Sequence, residues 1–167
     1  MSAVPIVRNA GEGERLRFFG GGILTIKATA EETGGAFLLF EDLMTKGKTT
    51  PLHIHADEDE TLYVLEGEIV VHIDGENHMI ATDGVAVAPR GVPHAFLVTS
   101  ETARVLTLLT PGSAEPFYRG ASEPAGTGYR PSGPLDFARG RKSAEKFGGM
   151  RAVGPPPFEL GVDESGP

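Results

Sequence analysis

Three imidazoles and a carboxylate, His53, His55, Glu60 and His94, are spaced so that a single metal ion could take all four. Side chains at i and i+2 of a strand point to the same face, so His53 and His55 are aligned as two nitrogen ligands by the strand itself. The acidic segment Ala56-Asp57-Glu58-Asp59 lets the chain turn, after which Glu60 supplies an oxygen. His94 arrives from a neighbouring strand if the sheet closes on itself. The chain has no cysteine, which excludes disulfides and thiolate ligands and leaves a mixed N/O set. Such a set accepts Fe, Mn, Co, Ni, Cu or Zn, and affinity alone does not choose among them. It also leaves coordination positions open for substrate, water or O2.

The elements that must hold these residues are short strands. Apolar runs recur at Leu16–Phe19, Ile23–Lys27, Ala36–Leu43, Leu62–Leu65, Ile69–Ile73, Val85–Ala88, Ala95–Thr99 and Val105–Leu109, separated by Gly, Pro, Asp and Asn. That pattern reads as a closed or double-sheet all-β fold. Asp74-Gly75, between Val70–Ile73 and Glu76–Ile80, is the dipeptide of a two-residue hairpin turn. From Pro111 to Pro134 the texture changes, with ten Gly or Pro in twenty-four residues. This stretch is expected to be irregular chain outside the core. Leu135 to Met150 fits one short helix ended by Gly148-Gly149, and Pro155-Pro156-Pro157 and Val162–Pro167 are expected to be extended or disordered.

The wider string around the ligands is Gly47, five residues, His53-x-His55, four residues, Glu60, six residues, Gly67. It resembles the first motif of the cupin superfamily at every marked position. The segment Asp83 to Phe96 resembles the second motif through Pro89, Gly91 and His94. Two positions depart from the pattern: Asp83-Gly84 stands where Gly-Asp is usual, and Val98 where Asn is frequent. The runs Glu58–Glu68 and Pro89–Phe96, and more loosely the tail Gly154–Phe158, are similar to bacterial quercetin 2,3-dioxygenase-like monocupins.

The resemblance covers roughly residues 15 to 120 and implies a cupin double-stranded β-helix, a jelly-roll barrel, over residues 1–110. Residues 111–167 then form a Gly/Pro-rich arm with a short helix, not an independent domain. The arm is expected to pack peripherally and to lie outside the metal site. The motif register alone prefers Glu60 over Glu58 as the carboxylate ligand. The site's chemistry would let a hydroxylated aromatic or enolic substrate bind as its anion with Glu60 taking the proton, and the family implies that a flavonol-type anion then reacts with O2 and has its ring cleaved.

Each of these residues also has a plainer reading. Asp57, Glu58 and Asp59 read as a solvated loop, His72 and His78 as the surface of the hairpin, and Arg90 and Tyr63 as structural or surface groups. Phe96 and Val98 share strand parity with His94 and so should line the interior, where they serve an aromatic substrate and core packing equally.

The formal net charge of −8 disfavours nucleic acid and anionic membrane surfaces as partners and leaves a small molecule as the ligand. No stretch approaches the ~20 apolar residues of a membrane span, and the first fourteen residues lack the apolar core of a secretory signal. A cytoplasmic protein is the expectation, and a homodimer the expected assembly. Three functions remain: a metal-dependent dioxygenase of a flavonol-like or polyphenolic substrate, a non-oxidative cyclase, isomerase or lyase of an enolisable one, and a non-catalytic metal- or ligand-binding cupin.

Overall fold

Alternation along Leu38–Thr45 shows how the sheets are made: Leu38, Phe40, Asp42 and Met44 are buried while the residues between them are half-exposed. Thr102–Thr110 repeats the rule with Ala103, Val105, Thr107 and Leu109 inward. This period of two lets one face of a sheet meet a core while the other meets water. The computed structural model describes residues 4–19, 21–131 and 135–159. Its strands are β1 (Glu14–Phe18), β2 (Gly22–Ala28), β3 (Leu38–Thr45), β4 (Leu52–Ile54), β5 (Asp59–Glu66), β6 (Glu68–Ile73), β7 (Glu76–Ala81), β8 (Val85–Ala88), β9 (His94–Val98), β10 (Thr102–Thr110), β11 (Ser122–Pro124) and β12 (Arg151–Gly154). Its helices are α1 (Glu115–Gly120) and α2 (Phe137–Phe147).

One sheet runs β11-β1-β2-β3-β10-β5-β8 and the other β12-β4-β9-β6-β7, all antiparallel. The fold is all-β, as the spacing of apolar runs predicts. The β6–β7 hairpin turns at Asp74 and Gly75, with φ of 50° and 86°, the two positive values that this turn requires. At the unusual Asp83-Gly84 pair, Asp83 takes a left-handed φ of 69°. Gly84 sits where a Cβ would collide with the Ile80 side chain and the Ala81 carbonyl. Exchanging the two residues would put a side chain into that collision. Among the described residues no helix is long and apolar enough to cross a membrane.

Two apolar clusters fill the interior. One holds Met44, Leu62, Val64, Ile69, Val71, Val98, Ala103 and Val105. The other joins Phe18, Phe19, Phe40 and Leu109 to Ala114, Phe117, Tyr118 and Ala121. The second cluster corrects the expectation of irregular chain outside the core after Pro111. Pro116 falls at the start of α1, where a missing N–H costs nothing, and Pro124 lies in a sheet-edge strand. High Gly and Pro content is therefore compatible with order here. Phe117→Ala should destabilise the whole fold by about 3–5 kcal/mol, the usual range for deleting a buried Phe side chain. Denaturant unfolding would check it, and a loss under about 1 kcal/mol would mean that the arm is not part of the core.

Helix α2 begins with the Asp136 carboxylate accepting the Arg139 N–H and ends at Gly148 with φ of 70°, within the span read from sequence. Its Ser143 hydroxyl donates to the Phe117 carbonyl at 2.7 Å and binds α2 to α1. The expectation of an extended tail from Val162 to Pro167 lies outside the described residues.

Candidate metal centre

The four residues singled out by spacing converge from both sheets. His53 on β4 is paired with His94 on β9, while Glu60 reaches in from β5. His55 falls one residue past the end of β4, yet it keeps the inward parity of His53. Its carbonyl accepts the Gly91 N–H at 2.8 Å, and the Asp59 carboxylate accepts the Arg90 N–H at 2.9 Å, so the two motif segments are laced together beside the site. One ligand atom from each of His53, His55, Glu60 and His94 lies within 4.8 Å of the others, and all four residues are buried.

The hydrogen bonds around these rings set their tautomers. Each Nδ1 faces a backbone carbonyl: Pro51 for His53 at 2.8 Å, Val92 for His94 at 2.8 Å, and Gly149 for His55. A carbonyl only accepts, so each Nδ1 carries hydrogen, and the lone pair of a neutral ring is left on Nε2. The His55 Nε2 is buried with no hydrogen-bond partner among the described residues, and the Glu60 Oε2, at 3.7 Å, is too far away for one. The His94 Nε2 stands 2.8 Å from Glu60 Oε2. Two acceptors at that distance require a proton or a cation between them. Such an arrangement fits a divalent transition metal, with His53, His55, Glu60 and His94 as the residues that would hold it.

The electrostatics of His53 and Glu60 agree with that use, whereas His55, beside the Glu60 carboxylate, is drawn toward its charged form and would give up that proton to bind metal. Burial, then the neighbouring His94 and His55, pushes the His53 imidazole down to about 3, which keeps its lone pair free. Burial alone would raise the Glu60 carboxyl, but the His55 and His94 imidazoles together outweigh it and hold Glu60 well below the carboxylate range. Burial opposes the charged form of His55 as well, but the Glu60 contact and the Gly149 carbonyl raise it overall. The Tyr118 hydroxyl, 3.5 Å from Glu60 Oε1, is pushed well above its ordinary value by burial and then by the Glu60, Glu58 and Asp42 carboxylates. It remains a donor.

Next to the cluster is a cavity of about 30 Å³, walled by Phe18, Phe40, Thr50, Phe96 and Tyr118 and reached by the Asp42 carboxyl. Asp42 is buried, and its Oδ1 has no hydrogen-bond partner among the described residues. Burial pushes its carboxyl up to about 7 against the pull of Lys48. Burial likewise lowers the Lys48 ammonium to about 8 against the pull of Asp42, and that ammonium stands 4.3 Å from the centroid of the Phe19 ring.

Because an unfolded Asp titrates near about 3.9, the folded state holds this proton more tightly than the unfolded chain does. The contribution of Asp42 to stability is complete below about pH 4 and is lost as pH rises through about 7. The lowered Lys48 acts in a separate window: its contribution is present above the unfolded value of about 10.4 and is lost as pH falls through about 8. The double variant Asp42→Asn/Lys48→Met should therefore show a flatter stability profile between about pH 4 and 7 than the parent in denaturant titrations. Parallel profiles would show that the pair does not titrate with folding.

Several sequence readings change. Glu58 is not solvated: it is 2% exposed and accepts a hydrogen bond from the Ser113 hydroxyl. Two residues before Glu60, it has the same inward parity. Asp59 does face solvent, in an ion pair with Arg90 at 3.0 Å, and Tyr63 is likewise at the surface, bonded to Asp83. Phe96 lines the cavity, whereas Val98 packs in the apolar cluster around Val71 and Ile69. His72 and His78 lie on the hairpin, paired with Asn77 and Glu76, away from the centre.

The arm is nearer the site than expected, since Ser113, Tyr118, Gly149 and Met150 all touch the ligands, Glu58 or the cavity. Asp42 and Lys48 were missed, although an Asp at an inward position of the Leu38–Met44 alternation is a readable signal.

A family model described as Cupin domain matches residues 40–109, the span that contains all four candidate ligands and both motifs. The chain belongs to the cupin superfamily. Among its relatives this cupin is 29% identical over 150 residues to quercetin 2,3-dioxygenase of Bacillus subtilis (strain 168), covering 90% of this chain and 43% of that one. The chain spans about half the length of the curated relatives it matches. The fold is shared with an RmlC-like cupin from Shewanella frigidimarina, at a TM-score of 0.58 and 18% identity over 66% of this chain and 95% of that one. It is also shared with a predicted oxalate decarboxylase from Thermotoga maritima, at 0.57 and 23% identity over 64% and 99%.

Proposed function

We propose that this cupin is a metal-dependent dioxygenase acting on a flavonol-like or polyphenolic small molecule. The observation that carries the reading is the donor set itself: three Nε2 atoms held as acceptors by their Nδ1–carbonyl bonds, facing an ionised Glu60 in an apolar pocket. Similarity to the Bacillus dioxygenase supports the choice of substrate class. Held by His53, His55, Glu60 and His94, a divalent ion would supply the positive charge that makes a substrate hydroxyl more acidic and a site for O2 chemistry. Glu60 is the catalytic base. Its low proton affinity makes it a weak one, adequate for a hydroxyl acidified in place. Tyr118 keeps its proton and steadies Glu60 Oε1, while Phe18, Phe40 and Phe96 exclude water. In dioxygenation both atoms of O2 enter the product, so no external reductant is required.

The test is an oxygen-electrode screen of flavonols with protein loaded separately with each candidate metal. One O2 consumed per substrate cleaved supports the reading, and product without O2 uptake replaces it with the cyclase, isomerase or lyase. The buried Asp42 carboxyl, raised to about 7 at the cavity wall, favours that second reading because it is placed to donate a proton. Ligand binding without any product under air would leave a non-catalytic cupin.

We further propose a cytoplasmic homodimer, without nucleic-acid or membrane partners. The net charge of −8 supports the last two exclusions, and exposed Tyr63 on β5 with Val85 and Val87 on the edge strand β8 supports the dimer. Sedimentation of the parent against Val85→Lys/Val87→Lys checks the assembly.

A further inference from the structure

Size separates the metal centre from any substrate of the proposed class. The cavity beside the ligands, about 30 Å³, holds little more than one water. Sites for drug-sized molecules run to about 300–1,000 Å³. A second, mainly apolar hollow of about 720 Å³ opens between α2 and β12, and Phe19, Pro51 and Met150 line both spaces. On the helical side the hollow is lined by Phe137, Gly140, Arg141, Ala144, Glu145 and Gly148, one stripe at helical spacing. Across from it, Arg151 and Ala152 belong to β12, the strand paired with His53 and Ile54 of β4. The hollow thus shares walls with the centre.

We infer that the groove between α2 and β12 binds the body of the substrate, and that Phe19, Pro51 and Met150 form the doorway through which its oxygenated edge reaches the ligands. This rests on the dioxygenase reading for its substrate class. The occupant is a flat aromatic molecule with an acidic hydroxyl at the inner end. Its outer ring lies on Ala144 and Phe137, and polar substituents meet Arg141, Glu145 and Arg151 at the mouth. The arm is then the substrate-binding wall, and the aromatic Phe19 faces both compartments.

The experiment uses the full metal-loaded chain and two probes: unsubstituted flavonol, followed by its absorption shift, and the fluorescent dye anilinonaphthalene sulfonate. Ala144→Trp and, as a variant gentler to the fold, Gly140→Leu both fill the groove. A Cβ at 140 meets the Phe19 ring at 3.7 Å, an ordinary contact, and the ligands are untouched. Each folded variant should keep parental metal content and bind both probes at least about tenfold more weakly. Parental affinity for both probes in a folded variant overturns the groove, as does failure of the parent to bind either. If the dye binds and is weakened while the parent ignores flavonol, the groove stands as an aromatic site and the flavonol assignment of the preceding section falls.

Discussion

Replacing His94 by alanine removes the bound metal while the chain still folds. The ring contributes a lone pair to the centre and occupies a strand whose other inward residues, Phe96 and Val98, continue to pack. Its loss leaves two imidazoles and a carboxylate without the strand-to-strand partner that β9 sets opposite His53. Metal content by elemental analysis should fall well below one per chain, and His53→Ala and His55→Ala should do the same. Bound metal also stabilises the folded state by mass action, about 2.7 kcal/mol when free metal is a hundred times Kd. A chelator should therefore lower the parental Tm by several degrees and leave the Tm of His94→Ala unmoved. Normal metal content in all three variants would sink the assignment.

Glu60→Gln should cost turnover far more than metal. The three imidazoles remain to hold the ion, while the amide cannot take up the substrate proton, a contribution of about 10²–10⁴ in rate for a general base. The comparison that isolates the role is Glu58→Gln. That residue is equally buried and two positions away, but its carboxylate is engaged by the Ser113 hydroxyl, and the amide oxygen of Gln can accept the same bond. Glu58→Gln should keep parental kcat. Activity surviving in Glu60→Gln and vanishing in Glu58→Gln would move the base to Glu58.

The ligands were legible because their geometry is written locally: His53 and His55 differ by two residues on an extended segment, and the strand that carries Glu60 alternates strongly enough to reveal its inward face. His94, on a strand with no such alternation, is marked by the spacing Pro89, Gly91, His94 instead. What was not legible depends on long separations or very short elements. Strands β11 and β12 have three and four residues, too few to show a period, and they pair with β1 and β4 from far along the chain. Glycine and proline content coincides with the end of β10 at Thr110 but says nothing of whether the chain that follows is buried. Phe117 and Tyr118, which fall in the arm expected to pack peripherally, are core residues because α1 lays them against Phe18 and Phe40. Glu58 is buried because it shares the inward parity of Glu60, a period that the acidity of the run around it conceals.

The bond from His55 Nδ1 to the Gly149 carbonyl joins residues ninety-four positions apart, one a candidate ligand and the other the hinge between α2 and β12. Linkage makes such a joint reciprocal: whatever free energy the settled arm lends to the orientation of His55, the filled centre returns to the settling of the arm. Occupancy of the centre and order of the groove wall are in that sense a single equilibrium seen from its two ends. An aromatic molecule lodged against α2 should tighten the hold on the ion some distance beneath it, and loss of the ion should loosen a surface that never touches it.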